Sequence, residues 1–86
     1  MRVVVVYKQQ TDYTRVVEEF LHDFEQLTGH ELETLDPEAP GGTSFCESYG
    51  VVEYPTIIAI SDSGHMQNLW RGLPLPTLSE VSYYIQ

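Results

Sequence analysis

The residues able to do chemistry are few and scattered. Cys46 is the one cysteine of the 86-residue chain, so it is the only possible thiol nucleophile, and an intrachain disulfide is excluded. Thr11 and Thr14 stand three apart in TDYT, where an apolar run gives way to a helical pattern. Such a hydroxyl pair can cap a helix, hold a ligand, or stand where more reactive groups would be expected. His22 has Glu18, Glu19 and Glu25 within about one helical turn, a spacing a metal ion could use. No second histidine shares that face, so a solvated surface is expected and no metal site. No cofactor is implied by any of these groups.

The elements that must position them read clearly. Val3 to Val6 form a continuous β-branched run, typical of a central strand buried on both faces. Tyr13, Val16, Val17, Phe20, Leu21, Phe24 and Leu27 recur at helical spacing, with charged residues opposite. Thr11 or Asp12 is expected to cap this helix and Gly29 to end it in a left-handed turn. HELETLD (30–36) alternates as a half-exposed strand, with Leu32 on its apolar face. DPEAPGG reads as a loop, followed by a short helix opened by Ser44 and Glu47 at capping-box spacing. Phe45, Cys46 and Tyr49 supply its apolar side and Gly50 stops it. TIIAI (56–60), SDSGH and MQNLWRG read as a hairpin. The last helix opens at Thr77 with Glu80 three residues on, and Leu78, Val81 and Ile85 face inward. The first two strands are expected to be parallel and the last two antiparallel. Trp70 is assigned to packing on the hairpin strand, and Leu73 and Leu75 to the core edge.

Composition narrows the function classes. Thirteen acidic residues against four basic ones give a formal charge of −9, which opposes phosphate backbones and disfavours nucleic-acid binding. The apolar runs VVVV and IIAI are too short to cross a bilayer, so no membrane role is expected. MRVVVVYKQQ lacks a small-residue cleavage site, and its apolar residues are needed as a strand, so no signal peptide is expected. A single cysteine agrees with a reducing, cytoplasmic setting. One domain over residues 1–86 is expected from the length and the absence of a linker.

The element order, with YGVVEYPT at its middle, resembles the thioredoxin superfamily. Tyr49, Gly50 and Val51 match the end of the family's short helix, Tyr54, Pro55 and Thr56 its cis-proline turn, and Gly72 the glycine closing its last strand. The resemblance implies a thioredoxin-like α/β fold, a four-stranded mixed sheet with three helices in the order β-α-β-α-β-β-α. Glutaredoxin-like members read roughly V-Y-S-K-x-x-C-P-Y-C after the first strand. Here Lys8 and Tyr13 are in register, and Thr11 and Thr14 occupy the two cysteine positions. A threonine hydroxyl forms neither a stable anion near neutral pH nor a reversible S–S bond, so disulfide exchange is not expected.

The resemblance also carries a site. Family members present the backbone of the residue before the cis proline to an extended peptide. A surviving groove between Lys8, Thr11, Asp12 and Tyr13 on one side and Tyr54 and Pro55 on the other would bind an unidentified protein or peptide. Lys8 falls where glutaredoxins place a lysine for the glutathione carboxylate. Their glycine-aspartate contacts are replaced by Leu73-Pro74-Leu75-Pro76, so glutathione is not expected. Cys46 maps to the inner side of the short helix, a small core residue. The expectation is a redox-inactive binding or assembly module. The alternative is a glutaredoxin-like, glutathione-binding or Cys46-dependent redox enzyme.

Overall fold

Four consecutive valines, Val3 to Val6, are almost wholly removed from solvent, and the molecule is built outward from them. The computed structural model describes residues 1–85. The elements are β1 (Arg2–Val6), α1 (Thr14–Thr28), β2 (Glu33–Leu35), α2 (Pro40–Tyr49), β3 (Thr56–Ile60), β4 (Met66–Arg71) and α3 (Leu78–Ser82). They form one mixed sheet in the order β2-β1-β3-β4, flanked by three helices. β1 runs parallel to β2 and antiparallel to β3, and β3 pairs antiparallel with β4.

Because side chains alternate across a strand, the valines divide between two cores. Val3 and Val5 pack with Val17, Phe20 and Phe24 of α1 and Val81 of α3. Val4 and Val6 pack with Cys46 of α2, Val51, Ile58 and Ile60. A strand covered on both faces needs apolar residues at every position, which is why VVVV and TIIAI occupy the two central strands.

α1 buries a narrower stripe than its apolar residues span. Val17, Phe20 and Phe24 are buried, whereas Val16 and Leu27 are 46% and 65% exposed. At 3.6 residues per turn those two lie on the border of the stripe, on the side of Phe20 away from Val17. The expected cap also differs. Tyr13 is the N-cap and makes no side-chain capping bond, so neither Thr11 nor Asp12 caps α1. The C-terminus ends as expected at Gly29, whose φ of 76° is left-handed.

α2 begins four residues before Ser44. Its N-cap is Ala39 and Pro40 stands in its first turn, so Ser44 and Glu47 form no capping box and PGG belongs to the helix. Proline's fixed φ is preorganised for that position. Gly42 is required there, because a Cβ would collide with the backbone carbonyl of Asp36. β2 is also shorter than the alternation in 30–36 suggests. Its ladder covers only Glu33 to Leu35, with Leu32 buried just before it. α3 opens on a complete capping box at Thr77 and Glu80. Val81 is buried, with Leu78 and Ile85 packed against the same core.

Candidate functional site

The chain leaves β1 through Tyr7 and turns at Gln10, which holds a left-handed φ of 58°. For a residue with a Cβ that conformation costs about 1 kcal/mol or more, so neighbouring bonds must hold it. Thr14 supplies them. Its hydroxyl donates to the Lys8 carbonyl at 2.8 Å and accepts from the Thr11 backbone N–H at 3.0 Å. The Thr11 and Thr14 oxygens are 2.8 Å apart. Since the Thr14 proton is committed to Lys8, Thr11 is the donor of that pair. Thr11 Oγ1 also accepts from the Tyr13 N–H at 3.3 Å. Both hydroxyls are thus spent in closing the turn.

Neither can act as a nucleophile in this arrangement. Activation requires a base on the hydroxyl, and the only acceptors of these two protons are a backbone carbonyl and the other hydroxyl.

The remaining expected site residues meet it from two directions. The Tyr13 hydroxyl accepts from the Lys8 backbone N–H at 3.1 Å. The Lys8 ammonium lies 5.3 Å from the centroid of the Tyr54 ring, a cation–π contact across the turn-to-turn boundary. Pro55 is buried and its peptide bond with Tyr54 is cis, while Asp12 is exposed. Gly72, at φ 64°, donates its N–H to the Pro55 carbonyl at 2.7 Å and so ties the end of β4 to this turn. Lys8, Thr11, Tyr13, Thr14 and Tyr54 are therefore neighbours at one end of the sheet, with Lys8 laid over Tyr54.

Cys46 lies on the other side of Tyr54. It is 7% exposed and packs with Val4, Val6, Val51 and Ile58. Burial first, and then Cys46, raises the Tyr54 phenol above its ordinary value. Cys46 and Tyr54 share the wall of an open depression of about 300 Å³ with Pro37, Val51 and Val52. Pro37 and Val52 did not stand out in the sequence. Val52 is 84% exposed; an apolar residue directly after a helix-stopping Gly-Val, outside any periodic pattern, was the available signal.

His22 sits on the solvent side of α1 beside Arg15, Glu18, Glu19 and Asp23. Among the described residues no group of three or more His, Cys, Asp and Glu side chains is placed to hold a metal ion. No described helix is long and apolar enough to cross a membrane.

Comparison by sequence finds no relative: no family model and no curated protein matches the chain. Comparison by structure does. Thioredoxin 1 from the thermophilic eubacterium Thermosipho africanus TCF52B superposes with a TM-score of 0.66 at 16% identity, over 99% of this chain and 90% of that one. This chain has the thioredoxin fold. A malarial protein superposes as well, with a TM-score of 0.67 at 13% identity over 96% of this chain and 90% of its own. At such identities the likeness carries the thioredoxin fold alone. The fold was legible here from β-α-β-α-β-β-α order and the YGVVEYPT stretch.

Proposed function

We propose that this thioredoxin-fold chain is a redox-inactive binding module that holds an extended peptide beside the Tyr54–Pro55 turn. The observation that carries the reading is the Thr11–Thr14 pair, 2.8 Å apart, with its protons committed within the turn. A dithiol at those positions would supply exchange chemistry; the hydroxyls supply only shape. Tyr54 offers its backbone and an amphipathic ring, and the apolar depression beside it, lined by Val51 and Val52, offers a pocket for one side chain. Lys8 over Tyr54 adds a positive charge at the rim that suits an acidic or C-terminal residue. The buried single thiol is compatible with a cytoplasmic setting.

One observation favours a second reading. Cys46 shares the depression with Tyr54, which is where a Cys46-dependent enzyme or a glutathione-binding protein would need its thiol. Turnover assays separate the two. The binding module reduces neither insulin disulfides nor a glutathione mixed disulfide, and Cys46→Ala leaves peptide binding in place. Turnover abolished by Cys46→Ala would establish the enzyme instead. For the binding reading itself, partners captured from native cells should be lost with Tyr54→Ala and retained with Glu18→Gln, a change on the solvent side of α1.

A further inference from the structure

A second depression, of about 430 Å³, lies between β4 and α3 and shares no residue with the Tyr54–Pro55 turn. Three aromatic rings form it. Trp70 meets Tyr84 edge-to-face at 5.6 Å, and Tyr84 meets Tyr83 edge-to-face at 5.1 Å. Tyr83 is 71% exposed, so core packing does not account for its ring. Asn68 donates to the Tyr84 hydroxyl at 3.2 Å and fixes that phenol from the β4 side. Glu80 closes the depression with a carboxylate that the capping box already positions.

We infer that this depression binds the guanidinium group of an arginine in a basic peptide segment. Aromatic faces attract a cation through their quadrupole, and a neighbouring carboxylate supplies the counter-charge. Arginine fits better than lysine, because a planar guanidinium stacks on a ring while its edge donates to a carboxylate. The charge balance agrees with this choice. The residues lining the depression include no basic side chain, and the whole chain carries a formal charge of −9. Glu80 is held ionised below the ordinary carboxylate range, first by the Thr77 backbone N–H and to a small extent by Trp70. A second copy of the chain is a poor occupant. It has only four basic residues, of which Arg2 is paired with Glu33, Arg15 with Glu19 and Lys8 covers Tyr54, leaving Arg71 alone.

Trp70 is the single tryptophan, so its fluorescence reports on the depression directly. The probes are a blocked Gly-Ser-Arg-Ser-Gly peptide and the same peptide with neutral citrulline in place of arginine. The arginine peptide should change the Trp70 emission saturably and shift the Trp70 indole N–H resonance, with the citrulline peptide at least about fivefold weaker. Glu80→Gln should weaken binding roughly fivefold while keeping the helix cap, since glutamine also serves at that capping position. Tyr83→Ala removes an exposed ring and should weaken binding with no change in the unfolding midpoint. Were it to fold poorly, Glu80→Gln still decides. Neither signal moving at millimolar peptide, equal response to citrulline, or a response to protein concentration alone would overturn the inference.

Discussion

Thr11-Asp12-Tyr13-Thr14 and Thr77-Leu78-Ser79-Glu80 start with the same residue, share the same spacing and each precede or open a helix, yet they fold differently. In the second turn, Thr77 Oγ1 accepts from the Glu80 N–H at 3.1 Å and the Glu80 carboxylate accepts from the Thr77 N–H at 3.0 Å. In the first, Thr14 Oγ1 also reaches back to the Thr11 N–H, but Thr11 Oγ1 accepts one residue early, from Tyr13. The difference is the length of the fourth side chain. Glutamate is long enough to reach back without displacing the first hydroxyl. Threonine is short, so its hydroxyl draws the Thr11 hydroxyl to itself and sends its own proton to the Lys8 carbonyl. One turn fastens only a helix start. The other fastens a helix to the end of β1, across the left-handed Gln10.

Restoring sulfur to the first turn should have the largest effect. Thr11→Cys/Thr14→Cys places two sulfurs where the oxygens already touch, so a reversible disulfide should form in air, read by thiol titration before and after reduction. The thiol at position 11 should be the more acidic. It faces the Tyr13 N–H, whereas position 14 faces the Lys8 carbonyl oxygen, which opposes an anion. If the first-turn cysteines fail to pair, TDYT is an ordinary turn and not a silenced redox position.

Removing single partners should rank the turns by stability. Thr14→Val deprives the Lys8 carbonyl, the Thr11 N–H and the Thr11 hydroxyl of one shared partner in a half-buried site, a cost of about 2 kcal/mol. Thr77→Ala removes one exposed capping bond, about 1 kcal/mol. Urea denaturation midpoints of the two variants check the order; equal shifts would mean that Thr14 fastens nothing beyond its own helix.

The same contrast explains what the sequence made legible. Residue type and spacing point to a cap at Thr11 or Asp12 and to capping boxes at Ser44 and Thr77, and only the last forms. Ser44 fails because Pro40 starts α2 a turn earlier, where Gly42 can pass the Asp36 carbonyl. That close approach is a tertiary contact with no mark in local spacing. The strands VVVV and TIIAI were legible because a strand buried on both faces has no other composition open to it. The exposure of Val16 and Leu27 was not, because periodicity places a stripe but not its width. At the candidate site, the expectations for Thr11, Thr14 and Tyr54–Pro55 came from the family resemblance. The hydrogen bond from Thr14 to Lys8 and the wall shared by Cys46, Val52 and Tyr54 each lie within a short stretch, but they depend on how a turn folds back on itself, which residue spacing does not fix.

The smallest effect is also the sharpest, because only one of the two turns has a charged group in its hydrogen-bond network. The Thr77 backbone N–H, together with its side chain, holds Glu80 below the ordinary carboxylate range. A folded value below the unfolded one means stability that is fully present above about pH 4.3, the unperturbed glutamate value, and is lost as pH falls through the folded value. Asp62, beside the N-terminal ammonium, is also lowered and makes its own contribution over the same acid range. Whole-protein acid denaturation therefore mixes the two. The difference between wild type and Glu80→Gln cancels Asp62, and it should be present at pH 7 and close towards zero in acid, measured by urea midpoints at each pH. The difference between wild type and Thr14→Val should stay constant over that range, since hydroxyls, an amide and a carbonyl make up its network. A Thr14→Val gap that follows pH would mean that exposed Asp12 is coupled to the hydroxyls. The first turn would then be electrostatic in part, and a thiol at position 11 would titrate against that carboxylate as well as against the helix.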